Sequence, residues 1–269
     1  MMRHVLLCLM LLVPGLAAAE GELHPLLTGD EARGWEGVGR LDIDGKGFCT
    51  ATLIAPDLVL TAAHCLFDRD TGTLIAPERI RFLAGWRNGR AAAYREARRA
   101  VPHPLYAHDG TARAETSRWD IALIELSQPI RSTEIRPFAV APTAAVGTEV
   151  GVVSYAFDRA EVPSLQEMCD VVGAEDGVLV FGCDVDFGSS GAPVFAIRDG
   201  VAQVVSVVSA KAELDGDRVA VGMDLTQPLA DLRAELADTS FAAVPPGEAR
   251  VIRPGERSET GARFVSVGD

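Results

Sequence analysis

The sequence predicts an all-β protein, a sandwich or barrel with one helix near its end. Short apolar runs of strand length recur between residues 37 and 224, many rich in Val, Ile and Phe, and Gly, Pro and Asp break them apart. Strands at such spacing are typical of sandwiches and barrels. Asp44-Gly45 lies between two of these runs and is a strong hairpin signal. A helical leucine spacing follows the last run.

The expected strands run in order. The first, 37–43, leads into the Asp44-Gly45 turn, and 51–54 and 58–61 follow it. Segments 80–83 and 121–126 come next, then 149–154, 177–181, 193–197, 201–209 and 219–224. The helix is expected over 228–236, where Leu229, Leu232 and Leu236 fall at i, i+3 and i+7 and Pro228 sits in the first turn. The pattern stops after Asp238. Residues 242–263 are rich in Pro, Gly, Arg and Glu and read as a mobile tail. The alternative for 263–267 is a short edge strand.

Residues 1–19 have the make-up of a signal peptide. Arg3 and His4 precede an apolar run over 5–13, and Ala17-Ala18-Ala19 offers a small-residue cleavage site. The run is too short to span a bilayer, which takes about 20 apolar residues. Cleavage after Ala19 removes Cys8 and leaves Cys49, Cys65, Cys169 and Cys183. Export with an even cysteine count favours two disulfides, read here as Cys49 with Cys65 and Cys169 with Cys183. The other two connectivities remain open at this point. A zinc site is the competing reading, disfavoured by the lack of any C-x2-C pair.

The formal charge is −13, and loss of Arg3 makes it −14. Nucleic acid and anionic membranes both require a basic surface, so neither is expected as a partner. No cofactor is implied, and no calcium loop is present, since Asp42-Ile43-Asp44-Gly45 is too short to be one. A monomer is expected.

Three short segments carry the chemistry. Gly188-Ser189-Ser190-Gly191-Ala192-Pro193 is a tight turn around a serine, with glycines where the backbone must bend and amides that can converge on one spot. Upstream lie Thr61-Ala62-Ala63-His64-Cys65 and Trp119-Asp120-Ile121-Ala122-Leu123. A serine hydroxyl is a poor nucleophile until a neighbouring base takes its proton. Neutral histidine suits that role near pH 7, and a carboxylate can fix its tautomer. Each segment alone is commonplace: a turn, a packed histidine, a strand cap.

Together, and in this order, they resemble the histidine, aspartate and serine segments of trypsin-like serine peptidases, nearest the bacterial glutamyl-endopeptidase-like branch, over about residues 35–237. The resemblance implies two six-stranded antiparallel β-barrels with a C-terminal helix, a peptidase domain over 20–237 divided near 135–145, and a tail over 238–269. It implies His64, Asp120 and Ser190 as the catalytic set, and an oxyanion hole from the N–H groups of Gly188 and Ser190. It implies a protein or peptide substrate and no stable membrane insertion. Ser206 resembles the family serine that hydrogen-bonds the aspartate, and the residues after it, Val207, Val208 and Ser209, would form the edge that pairs with substrate. Asp184, six residues before Ser190, matches by count the trypsin carboxylate that selects Arg or Lys, with Asp186 two residues on; a surface position for both is the plainer reading. Ser189 is a departure, because trypsin has aspartate there to receive a new amino terminus. The remaining histidines, His24, His103 and His108, read as structural or exposed. The insertion over 104–118 is long enough to cover a cleft.

Overall fold

A computed structural model describes residues 21–108 and 114–240 of the 269. The expected signal peptide, the middle of the 104–118 insertion and the expected tail from residue 241 lie outside the described residues.

The first barrel closes in the order β2 (Val38–Ile43), β3 (Gly47–Ala55), β4 (Leu58–Thr61), β7 (Ala122–Leu126), β6 (Ala93–Pro102) and β5 (Ile80–Ala84), with β5 returning to β2. The Asp44-Gly45 turn joins β2 to β3 with both residues at positive φ, 56° and 65°, as a tight hairpin of this kind demands. Leu41, Ala51, Leu53, Val59, Phe82 and Ile124 fill the interior. The opposite face of β3 carries Thr50 and Thr52, which are also fully buried, and the Thr50 hydroxyl bonds Gly188 O.

The second barrel consists of β8 (Glu149–Ser154), β9 (Ser164–Glu175), β10 (Val178–Phe181), β13 (Asp217–Met223), β12 (Val201–Leu214) and β11 (Pro193–Arg198), closed by the β8–β9 pairing. A short β1 (His24–Pro25) adds to β9. Val150, Val171, Phe181, Val194 and Val205 lie in its core. Residues 127–148 cross between the barrels; Phe138 N–H bonds Leu53 O, and Ala141 N–H bonds Val204 O.

Two long strands fall outside the expected set. β6 is arginine-rich, and its Arg98 and Arg99 both pair with Glu125 of the adjoining β7, Arg99 Nε at 2.6 Å. β9 mixes exposed Glu167, Asp170 and Val172 with buried Cys169 and Val171. Both expected disulfides are formed, Cys49–Cys65 and Cys169–Cys183. A one-turn α1 (Ala114–Ser117) precedes Asp120, and α2 (Thr226–Ser240) begins two residues earlier than expected, where Asp224 Oδ1 accepts the Thr226 N–H at 2.7 Å. The chain divides into two units after Leu232; the first holds both barrels, and the second contains the end of α2 among the described residues.

Candidate active site

His64 follows β4 in a 3₁₀ turn over Ala63–Leu66, and the Cys65 disulfide ties that turn to Cys49 on β3. Asp120 lies two residues before β7, the strand paired with β4, so the sheet register brings the two residues together. The Asp120 carboxylate accepts three hydrogen bonds: from His64 N–H (2.8 Å, Oδ1), from His64 Nδ1 (2.7 Å, Oδ2) and from Ser209 Oγ (2.6 Å, Oδ2). A carboxylate can only accept, so His64 carries its proton on Nδ1 and leaves Nε2 as a base. Asp120 is 6% exposed at the side chain and His64 24%, which keeps the pair sheltered while one edge of the ring meets solvent.

The serine loop is held against this pair by backbone geometry. Gly191 has φ +79°, and a Cβ there would lie 2.2 Å from Thr61 Oγ1 and 2.3 Å from Thr50 O. That contact sets Ser190 beside the turn carrying His64. Gly188 has φ +99°, and a Cβ would meet the Phe48 ring at 2.6 Å. Thr50 binds the loop on both sides, its N–H to Ser190 O (2.9 Å) and its hydroxyl to Gly188 O (2.9 Å). The N–H groups of Gly188 and Ser190 donate to no protein acceptor among the described residues. Among the described residues Ser190 Oγ makes no hydrogen bond to His64 Nε2, which lies 3.8 Å from Cys65 Sγ.

A sequence model of the trypsin family matches residues 28–227. The chain belongs to the trypsin family. Among curated relatives, the glutamyl endopeptidase of Bacillus licheniformis is 29% identical over 150 residues, which is 55% of this chain and 45% of that protein. Kallikrein-15 of Homo sapiens is 35% identical over 144 residues, 52% of this chain and 50% of that protein. The matched part thus spans about half the length of these relatives. A solved glutamyl endopeptidase structure, in complex with MPD, superposes with a TM-score of 0.66, 18% identity, and coverage of 82% of this chain and 98% of the other.

Within this trypsin-family chain, four expected positions differ from the reading of the sequence. The serine on Asp120 is Ser209, not Ser206. Ser206 Oγ instead accepts from Met223 N–H (3.0 Å) and donates to Met223 O (2.8 Å), binding β12 to β13. Val207 and Val208 do not offer a free edge: Val207 faces Pro193 in the β11–β12 ladder, Val208 N–H bonds Ala192 O, and Val208 O accepts from Gly191. The β11 side of β12 is open only from Ser209 onward. Asp184 is not a buried carboxylate; its side chain is 44% exposed, 3.7 Å from Arg218, and its backbone N–H is held by Gln166 Oε1.

Asp186 is likewise at the surface. Lys211 Nζ, 2.7 Å away, is the main cause holding its carboxyl below the usual range, and the Phe187 N–H adds to this. Lys211 also lies 3.9 Å from the Phe187 ring centre. Ser189 is fully buried, and its hydroxyl meets Ser154 Oγ and Tyr155 O (both 3.2 Å), the Asp186 N–H (3.3 Å) and Arg159 Nη2 (3.5 Å). Cys49, His64 and Cys65 lie close enough to suggest a metal set, but both sulfurs are consumed by the disulfide. His103 is buried and stacked on Trp119 at 4.6 Å.

Proposed function

We propose that the chain is an exported serine endopeptidase, periplasmic or extracellular, that cleaves protein or peptide substrates through an acyl-enzyme on Ser190. The observation that supports it most is the Asp120 carboxylate bonded at once to His64 N–H, His64 Nδ1 and Ser209 Oγ, beside a serine loop with two free amides. In this reading Ser190 Oγ attacks the scissile carbonyl as His64 Nε2 takes its proton. The oxyanion accepts hydrogen bonds from Gly188 and Ser190 N–H, and the C–N bond breaks as His64 returns the proton to the leaving amine. Water then repeats the sequence on the ester. Asp120 holds the ring and stabilises the imidazolium.

The edge from Ser209 to Lys211 would pair with the substrate backbone. Asp184 is too exposed to make a strong selector for Arg or Lys, whereas Lys211 places an ammonium on that edge, so an acidic side chain at the cleaved residue is the preferred fit. The name of the Bacillus licheniformis relative agrees with this preference.

A fluorophosphonate probe tests the chemistry: the mature chain labels, and Ser190→Ala does not. The absence of a Ser190–His64 hydrogen bond favours a second reading, a silent binding protein of the same fold, although such bonds often tighten only when substrate binds. No labelling of the wild type would establish that second reading. A peptide-library profile without preference for Asp or Glu removes Lys211 as the selector.

A further inference from the structure

Away from the His64–Asp120–Ser190 site, a groove of about 1050 Å³ opens among the described residues. It runs between residues 29–36 before β2, the end of the β5–β6 hairpin at 85–92, and residues 133–136. None of its lining residues takes part in the candidate active site. It is larger than most small-molecule pockets, which suits a length of chain.

Its chemistry is unusual for an acidic protein. Arg87, Arg90 and Arg136 all line it, and among the described residues none has a carboxylate partner. Arg87 and Arg90 stand directly opposite each other across the hairpin end, exchanging both backbone hydrogen bonds at 2.8 and 3.0 Å. The turn between them is rigid: Asn88 and Gly89 have φ +50° and +80°, and Glu161 receives both their N–H groups. Like charges directly opposed on a ladder destabilise it, so folding alone gives no reason for the pair. Two donors, Arg87 Nη1 and Trp86 Nε1, are buried with no acceptor among the described residues. Buried donors normally find one.

We propose that this groove binds an acidic polypeptide segment, with Arg87 and Arg90 as the main receptors and Arg136 as a third. The other lining residues decide between polyanions. Asp30, Glu36 and Glu134 stand among the arginines, and the chain as a whole carries −13. A densely charged nucleic acid or sulfated sugar would meet both repulsions. A peptide with spaced carboxylates can meet each arginine while its own N–H groups and apolar side chains face the acids and the Trp35 and Trp86 rings.

The test is fluorescence anisotropy with labelled hexaglutamate on the full mature chain at low salt. The expected result is saturable binding, absent for hexaglutamine, weakened about tenfold or more in Arg87→Gln/Arg90→Gln, and unchanged in Lys211→Ala. Arg87→Lys/Arg90→Lys, which keeps the charges but not the paired donors, should lie between. The glutamine variant should melt no lower than wild type and keep its fluorophosphonate labelling rate. Equal affinity in the Arg87→Gln/Arg90→Gln variant, loss of binding in Lys211→Ala instead, or binding of a heparin hexasaccharide with none of hexaglutamate, would each overturn the proposal.

Discussion

Ser209→Ala is the sharpest probe of the site. Ser209 is buried, and its hydroxyl donates to Asp120 Oδ2 at 2.6 Å, a short contact to a charged acceptor. Hydrogen bonds to charged groups contribute about 1.5–3 kcal/mol, and each 1.36 kcal/mol is tenfold in rate, so full transmission to the transition state would slow acylation by about 10–150-fold. Asp120 keeps its two bonds from His64, which confines the expected loss to the lower end, about tenfold.

The assay is the second-order rate of fluorophosphonate labelling, which needs no knowledge of the substrate. Ser206→Ala is the matched control. It strips both bonds to Met223, leaving a buried N–H and C=O unpaired at about 1–3 kcal/mol each, so it should lower the melting temperature yet leave labelling of the folded protein within about twofold. A Ser209→Ala protein that labels like wild type, or a Ser206→Ala protein that is folded and slow, would refute the argument.

Gly191→Ala should cost about 2–5 kcal/mol, from a positive φ and a Cβ driven into Thr61 Oγ1 and Thr50 O, and should abolish labelling; a urea midpoint close to wild type would contradict it. Burial pushes the His103 ring below its ordinary pKa, with Asp231 at 3.5 Å partly opposing. The unfolded chain therefore binds the proton more readily. Stability from this group is complete above about pH 6.5 and is lost as pH falls through the lower folded value. Melting curves from pH 7.5 to 5 should fall more steeply for wild type than for His103→Gln. Replacing Cys49 and Cys65 by alanine opens a loop of sequence separation 16 and should cost about 3 kcal/mol in urea unfolding.

Much of this site was legible because its chemistry is local. Asp44-Gly45, Gly188, Gly191 and the neighbouring cysteines each answer to a backbone or covalent constraint that residue identity alone expresses. Ser209 was not legible, for a specific reason. Val204-Val205-Ser206 and Val207-Val208-Ser209 repeat the same triplet three residues apart, and an odd shift along a strand turns a side chain to the other face. The register of β12 shifts between Val208 and Ala210, and Ser209 rather than Ser206 meets Asp120. Likewise β6 escaped notice because its arginines are matched by Glu125 on another strand, a pairing without a trace in the local pattern. Asp184 failed differently: counting back from Ser190 gives position in the chain, not depth, and the Gln166 and Arg218 contacts that fix it come from β9 and β13.

Serine in place of trypsin's aspartate at position 189 changes what the serine loop requires. A buried carboxylate there would need a buried cation, and its absence would leave a costly unpaired charge. Ser189 is neutral and can be satisfied by neutral groups, and Ser154 Oγ, Tyr155 O and the Asp186 N–H supply them. Arg159 closes the same network from the 3₁₀ turn Phe157–Arg159, with its own charge met by Asp158 at 3.2 Å. Thr50 then clamps the loop from the first barrel through Gly188 O and Ser190 O. Each of these groups lies within residues 50–190, so the loop's conformation rests on contacts that exist as soon as the two barrels pack. In the proposed mechanism Ser189 offers no carboxylate to a new amino terminus, and the amides of Gly188 and Ser190 would be presented without one.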